Sequence, residues 1–316
     1  MNEIRAAVVG AGRLGSLHAA KYAATPGVSV THIIDVDGNR AAQLAASFGA
    51  AWATDFRALD HRVDVVTVAS PGVTHFAIAS HLLRAGCDIL LEKPMATTVE
   101  DARALTALAE SGDRILQIGH LERFNPVVNH LRSILNRPRF VECHRLAPFT
   151  ERGTDVDVVL DLMVHDLDVL LSLTGAEATS VEALGVAVLT DQIDVANARI
   201  RFSNGMIANV NTSRVAPRRE RKIRFFQPDA YISVDYEARS IQMYRKTPPA
   251  RGAQFPTISA EQIELGEGDP LADEVRAFVN SVRTRSTPAV SADDGLRVME
   301  LTERIKEVML TDSPAP

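Results

Sequence analysis

The segment "IRAAVVGAGRLGSLHAAKYA", residues 4–23, decides how the chain folds. It begins as an apolar run typical of a buried strand and ends with the apolar spacing of a helix. Between them, Gly10, Gly12 and Gly15 fit the pattern G-x-G-x-x-G, in which the backbone approaches a pyrophosphate at a helix N-terminus. The segment therefore predicts a strand–turn–helix unit that binds a dinucleotide, with Arg13 and Leu14 in the same cofactor-binding loop.

Outward from this segment, strand-like and helix-like stretches alternate up to about residue 120. The strand-like stretches are apolar throughout, which is typical of a parallel sheet covered by helices on both faces. Asp35 ends the second of them, 20 residues after Gly15, where an acidic side chain hydrogen-bonds the adenosine ribose. We therefore expect an α/β chain whose residues 1–122 form a doubly wound Rossmann domain that binds NAD.

After residue 122 the pattern changes to one long helix, "DVVLDLMVHDLDVLLSL", followed by several strands with hairpin-length gaps such as Ser203–Gly205. Helices are predicted at 270–284 and 292–310, and a loop at "TPPARGAQFPT". Residues 123–316 should thus form an α+β domain with a large, mostly antiparallel sheet. Its C-terminal helix is free to pack back on the first domain.

Composition excludes several classes of protein. The chain has 316 residues, 46% of them hydrophobic, a net charge of −6 and two cysteines, which fits a globular two-domain protein. Basic residues are dispersed apart from "RVAPRRERKIR" at 214–224, so no nucleic-acid partner is expected. Neither a signal peptide nor an apolar run of the roughly 20 residues that span a bilayer occurs, so the sequence predicts a cytoplasmic protein without a membrane partner.

The stretch "CDILLEKPM" places Lys93 at the end of an apolar strand. An ammonium next to a buried strand is costly unless something gains from its charge. Ligands of open α/β folds bind at the carboxyl edge of the sheet, so Lys93 is a candidate for contact with the reacting end of a cofactor. The alternative is a lysine that extends into water at a strand end.

Taken together, several motifs resemble the Gfo/Idh/MocA family, named for glucose-fructose oxidoreductase, inositol dehydrogenase and rhizopine catabolism. The resemblance covers essentially the whole chain. The motifs are Gly10–Gly15, Ser70-Pro71 with His75, Glu92-Lys93-Pro94, and Asp161-x-x-x-His165.

The resemblance implies that Lys93, Asp161 and His165 are catalytic. On that basis His165 takes the proton of a sugar hydroxyl, Lys93 polarises the oxygen, and Asp161 orients the base. Asp161 and His165 are four residues apart and share a helix face, although an ordinary surface pair would have the same spacing.

The resemblance also implies weaker candidates. On the cofactor side these are Ser70, Pro71, His75 and Glu92, although a histidine at a helix start has a structural alternative. On the substrate side, "GHLERFNP" supplies His120, Arg123 and Asn125. No metal ligand set is predicted.

One departure points to a narrower branch of the family. Where many members have Gly-Gly before the Asp-x-x-x-His helix, this chain has "DVDVVLD", and "HRLAPFTERG" precedes it. These segments resemble UDP-N-acetylglucosamine 3-dehydrogenases, which act with a pyridoxal-phosphate aminotransferase in lipid A biosynthesis. Arg145 and Arg152 would then bind the diphosphate, unless they are solvated loop arginines.

Two other functions stay open at this point. One is a dehydrogenase of a free polyol or sugar acid, and the other is a non-catalytic dinucleotide sensor, which would have no use for Lys93, Asp161 and His165. The outer face of the large sheet predicts a homo-oligomer, either a dimer or a tetramer.

Overall fold

The computed structural model describes residues 3–150, 156–249 and 254–311. They divide into two compact units. The first holds the described residues up to Phe124 together with Asp269–Met299, and the second holds Asn125–Gly268 and the described residues from Glu300 onward. The sequence predicts a single boundary between residues 122 and 123, whereas residues 269–299 belong to the first unit. The reason is that the helix Pro270–Thr284 buries Val275, Phe278 and Val279 in the core of the first unit.

The described helices and strands follow the predicted order. The helices are α1 (Arg13–Ala23), α2 (Gly38–Ala46), α3 (His75–Arg84), α4 (Val99–Ser111), α5 (Pro126–Ile134), α6 (Val164–Thr174), α7 (Pro270–Thr284) and α8 (Ala292–Thr311). The strands are β1 (Ile4–Val9), β2 (Val28–Ile34), β3 (Ala51–Ala53), β4 (Val65–Val68), β5 (Asp88–Glu92), β6 (Leu116–Gly119), β7 (Phe140–Leu146), β8 (Ala178–Val186), β9 (Val195–Phe202), β10 (Ile207–Ser213), β11 (Glu220–Phe226), β12 (Ala230–Asp235), β13 (Ser240–Thr247) and β14 (Thr257–Glu264).

The first unit is a Rossmann fold, as the sequence predicts. Its six strands are ordered β3-β2-β1-β4-β5-β6, and every neighbouring pair is parallel. Strands β4, β5 and β6 are buried along their whole length, because helices cover both faces of the sheet. The carboxyl ends of β1 and β4 adjoin at the point where the strand order reverses, which is where such sheets bind ligands.

The second unit is built on a sheet of eight strands in the order β14-β13-β12-β11-β7-β10-β9-β8. The pair β7–β10 is parallel and the others are antiparallel, which confirms the prediction of a mostly antiparallel sheet. Gly205, with φ +81°, makes the turn between β9 and β10. Buried positions alternate with half-buried ones along β7 and mostly with exposed ones along β9, so one face of the sheet forms the core.

The sequence pattern did not predict the short strand β3 or the edge strand β14, both of which expose most of their side chains. Within the described part of the chain, none of the helices combines the length and the hydropathy needed to cross a bilayer.

Candidate active site

The glycine turn between β1 and α1 forms an open cradle. A Cβ on Gly15 would lie 1.7 Å from the carbonyl oxygen of Gly10, and a Cβ on Gly10 would lie 2.6 Å from that of Ala69. A Cβ on Gly12 would meet no described atom within 4 Å, and no described side chain caps the N-terminus of α1 there. The turn is therefore packed on its inner side and open at Gly12, which fits a pyrophosphate at the helix N-terminus.

Asp35 lies beside this cradle at the end of β2 and is buried. Its Oδ2 accepts the backbone N–H of Ala11 at 2.7 Å, and its Oδ1 accepts that of Asp37 at 2.9 Å. The guanidinium of Arg40 also donates to Oδ1, at 3.1 Å. Asp35 thus ties the glycine turn to β2, in the place where a carboxylate recognises the adenosine ribose.

We expect a preference for NAD over NADP, and Asp35→Ser should reduce it by about 30-fold. Two like charges about 4 Å apart repel by roughly 4 kcal/mol at an effective dielectric of 20, and the positive charge of Arg40 offsets part of this. The measurement is kcat/KM with each cofactor, compared as a ratio within each variant. Asp37→Ser is the matched control, because serine can still cap α2. An Asp35→Ser protein with an unchanged ratio would contradict the assignment.

The loop after β4 and the loop after β5 are joined by His75. Its Nδ1 lies 2.7 Å from the carbonyl oxygen of Pro94, and its Nε2 lies 2.9 Å from that of Ser70. Ser70 in turn adjoins the cradle, since its backbone nitrogen would lie 2.9 Å from a Cβ on Gly10. The structure therefore brings Ser70 and His75 together with Gly10. Arg13, Leu14 and Pro71 are exposed.

Glu92 is the last residue of β5 and Lys93 follows it, and the Lys93–Pro94 peptide bond is cis. The carboxylate of Glu92 is buried, and its Oε2 accepts the backbone N–H of Lys93 at 3.3 Å. The Lys93 side chain is half-buried at the carboxyl edge of the sheet. This is the edge that the sequence predicts for it.

Arg123 and Asn125, which are predicted substrate residues, both make contacts within the protein. Arg123 is buried and pairs with Asp294 in the first turn of α8, with Nη1 3.4 Å from Oδ2. Burial alone would raise the pKa of Asp294, but Arg123 and further hydrogen bonds bring that pKa below its ordinary value. Asn125 caps α5 by accepting the backbone N–H of Val127 at 3.1 Å. His120 is also buried, next to β6.

In the second unit, Asp161 and His165 lie at the start of the long predicted helix, and both are half-buried. The residues Val159–Met163 form a π-helical turn that leads into α6, a feature often found at functional sites. Asp157 fixes this start, because its Oδ1 accepts the N–H groups of Val159 and Leu160 at 3.0 and 2.9 Å. The segment "DVDVVLD", which stands where many family members have Gly-Gly, therefore supplies a helix cap through Asp157.

Arg145 is 3% exposed and makes two hydrogen bonds of 2.9 Å to the carboxylate of Asp166. This bidentate pair joins β7 to α6 at the residue after His165. It supports a role in positioning α6, and the diphosphate contact of Arg145 stays a prediction. Arg152 lies outside the described residues.

Sequence patterns did not single out Asp157 and Asp166, nor His18 and Glu274, which lie near Glu92. Asp157 carries a recognisable signal, because an Asx residue before an apolar helical run is a typical N-cap. The other three have no such signal, since their partners are remote in sequence.

Comparisons with known proteins agree with this geometry. Residues 4–120 match the family model "Oxidoreductase family, NAD-binding Rossmann fold", and residues 128–233 match "GFO/IDH/MocA C-terminal domain". The chain is 37% identical over 310 residues to UDP-N-acetylglucosamine 3-dehydrogenase from Acidithiobacillus ferrooxidans, covering 97% of each protein. It is 26% identical over 326 residues to scyllo-inositol 2-dehydrogenase (NAD(+)) from Bacillus subtilis, covering 95% of this chain and 92% of that protein.

Solved structures of related enzymes have the same fold over nearly the whole chain. The structure of the Acidithiobacillus ferrooxidans enzyme has a TM-score of 0.90 at 36% identity, covering 98% of this chain and 99% of that one. A scyllo-inositol dehydrogenase from Lactobacillus casei shares the fold, with a TM-score of 0.81 at 18% identity over 99% of this chain and 98% of that one. The chain therefore belongs to the GFO/IDH/MocA family and is an NAD-binding oxidoreductase.

Proposed function

We propose that this protein oxidises the 3-hydroxyl of UDP-N-acetylglucosamine to the 3-keto nucleotide sugar. The observation that carries the proposal is the 37% identity to a UDP-N-acetylglucosamine 3-dehydrogenase over 97% of both chains. The inositol dehydrogenases are more distant over a comparable length, at 26% identity for the Bacillus subtilis protein. A free polyol is therefore the second candidate substrate.

In the proposed reaction, the nicotinamide of bound NAD would be the hydride acceptor. The glycine turn and Asp35 hold the dinucleotide. His165 accepts the proton of the hydroxyl as the C–H bond breaks, so that the alcohol loses one hydride and one proton. The Lys93 ammonium hydrogen-bonds the reacting oxygen and stabilises the negative charge that develops on it. Asp161 holds the imidazole of His165 in the orientation needed to accept the proton.

The remaining parts of the proposal concern context. A 3-ketone is the substrate that a pyridoxal-phosphate aminotransferase would convert to a 3-amino sugar, so we propose coupling to such an enzyme in lipid A biosynthesis, in the cytoplasm. We also propose a homo-oligomer, either a dimer or a tetramer, formed through the outer face of the large sheet. A row of aromatic rings supports this, with centroids 5.1 to 5.9 Å apart along Phe140, Phe226, Tyr231 and Tyr244. A role for Arg152 in binding the diphosphate stays a prediction.

The test is an assay with NAD and UDP-N-acetylglucosamine, with and without glutamate and a sugar aminotransferase. Oxidation of a secondary alcohol by NAD is uphill near neutral pH, so we expect little NADH from the protein alone and continuous NADH when the ketone is removed. Mass spectrometry of the trapped product should show an amino group at carbon 3. Free N-acetylglucosamine is the matched control and should react far more slowly, because it lacks the remote binding energy of the nucleotide. Faster oxidation of myo-inositol than of any nucleotide sugar would contradict the proposal.

A further inference from the structure

Three titratable side chains meet in the interior of the first unit. His18 of α1 and Glu274 of α7 are 0% exposed, and Glu92 of β5 is 8% exposed. The imidazole Nε2 of His18 lies 2.8 Å from Oε1 of Glu92, and one ligand atom from each of the three side chains lies within 4.8 Å of the others. Charged groups are rarely buried unless they are paired, so this cluster requires an explanation.

Glu274 has no counter-charge in the cluster. Neither of its carboxylate oxygens has a hydrogen-bond partner among the described residues. Burial, and then the charge of Glu92, raise the pKa of Glu274 well above its ordinary value. An ionised carboxylate here would be unsolvated and would repel Glu92, whereas a neutral carboxylic acid avoids both costs. The described groups that face Glu274 are His18 and Tyr22 of α1, Glu92 of β5, and Gln117 of β6, whose amide donates to the Glu274 backbone carbonyl at 3.2 Å.

Glu92 carries the negative charge of the cluster. The buried Nδ1 of His18 has no partner among the described residues, so the neutral ring with its proton on Nε2 is the form that leaves no N–H unsatisfied. That Nε2–H donates to Oε1 of Glu92, and Oε2 of Glu92 accepts the backbone N–H of Lys93. A continuous chain of contacts therefore runs from α1 through Glu92 to the backbone of Lys93.

We propose that His18 and a protonated Glu274 are positioning residues, which keep Glu92 as the single anion of the cluster and so fix the backbone of Lys93. The proposal rests on the proposed function, in which Lys93 contacts the reacting oxygen. The proton on Glu274 removes the repulsion that would displace Glu92. The hydrogen bond from His18 sets the orientation of the Glu92 carboxylate.

The first test is the pH dependence of stability in the full-length Glu274→Gln variant, because glutamine is the neutral isostere of a protonated glutamate. The unfolded chain loses the Glu274 proton near its ordinary pKa of 4.5, while the folded chain keeps it. Wild-type stability should therefore fall relative to Glu274→Gln as pH rises above that value, by up to about tenfold in the unfolding constant per pH unit. Denaturant titrations between pH 5 and 8 measure this.

The matched control is the exposed Glu110→Gln, for which the difference from wild type should not vary with pH in this range. A constant difference for Glu274→Gln, or wild-type stability that rises relative to it with pH, would show that Glu274 is ionised and overturn the proposal. A stoichiometric divalent metal in the purified wild type that is lost in Glu274→Gln would also overturn it, because the cluster would then hold a cation in place of a proton.

The second test separates positioning from cofactor binding. His18→Leu should lower kcat by about tenfold, since small displacements of a catalytic group are costly, while the Kd for NAD changes little. His18→Gln should restore most of the rate, because its side-chain N–H can donate to Glu92. The control is His81→Leu, which removes an equally short contact, 2.8 Å to Asp60, elsewhere in the same unit. Wild-type turnover in His18→Leu together with slow turnover in Lys93→Met would contradict this inference alone, whereas normal turnover in Lys93→Met would contradict the proposed function.

Discussion

Lys93→Met should lower kcat by on the order of 10² or more, the scale of a lost group that stabilises charge on a reacting oxygen. Methionine keeps most of the length and the apolar contacts of the half-buried lysine but removes its charge. The backbone of residue 93 should stay in place, because the N–H that Glu92 accepts is unchanged by the substitution. Steady-state kinetics with the aminotransferase-coupled assay gives kcat, and calorimetry gives the Kd for NAD, which we expect to change little.

Lys21→Met is the matched control for this variant. Lys21 lies in the last turn of α1 and pairs with Asp269 at 2.7 Å, and both partners are partly exposed. Ion pairs of this kind contribute about 1 kcal/mol or less to stability, so turnover should be unchanged. Near wild-type turnover in Lys93→Met would remove Lys93 from the mechanism, and loss of NAD binding in that variant would point to misfolding. His165→Ala should lower kcat on a similar scale, because it removes the proposed base.

The Rossmann half was predictable because its signals are local. The glycine motif, the apolar strands and Asp35 each carry a pattern that can be recognised without knowing which residues they contact. Strand β3 was missed because three residues with mostly exposed side chains carry no periodic signal. Strand β14 was missed for a related reason: it exposes nearly every side chain, so only its pairing with β13 defines it.

The assignment of residues 269–299 could not be made from periodicity. The amphipathic pattern of α7 shows that one of its faces is buried, but not which part of the chain covers it. In the structure that face packs with α1 and the first sheet, through residues such as Phe278 and Tyr22. Because α7 directly follows the second domain in the sequence, its helical pattern was assigned to that domain.

Arginines were the least predictable residues of the candidate site. The family resemblance implied a substrate contact for Arg123 and a diphosphate contact for Arg145, and the structure shows in addition that each is buried beside an aspartate. Their partners, Asp166 and Asp294, are distant in sequence and carry no distinguishing motif. His18 likewise carries no distinguishing motif, because it is one of several polar residues in the amphipathic helix α1. A buried ion pair is a property of the tertiary structure, so it cannot be recognised from either partner alone.

Among the glycines that the structure describes, Gly15 should be the one whose replacement by alanine is most damaging. The added Cβ would lie 1.7 Å from the carbonyl oxygen of Gly10 and 3.1 Å from Cγ1 of Val8. The first of these contacts is with backbone, so no side-chain rotation relieves it, and α1 must move away from β1. We expect a loss of about 3 kcal/mol or more in the free energy of unfolding, at the upper end for overpacking, and a fall of at least 10² in NAD affinity because the cradle is displaced.

Gly12→Ala, three residues away, separates folding from cofactor binding. Its Cβ would have no described atom within 4 Å, and its backbone is extended, with φ −73° and ψ −170°, a conformation that alanine adopts without strain. This variant should therefore unfold at the wild-type midpoint, while its methyl group obstructs the space that the pyrophosphate needs and weakens NAD binding. Thermal denaturation and calorimetric titration with NAD measure the two effects separately. A Gly15→Ala protein as stable as wild type would contradict the close approach of α1 to the turn, and a Gly12→Ala protein with wild-type NAD affinity would show that the pyrophosphate does not approach the backbone at this residue.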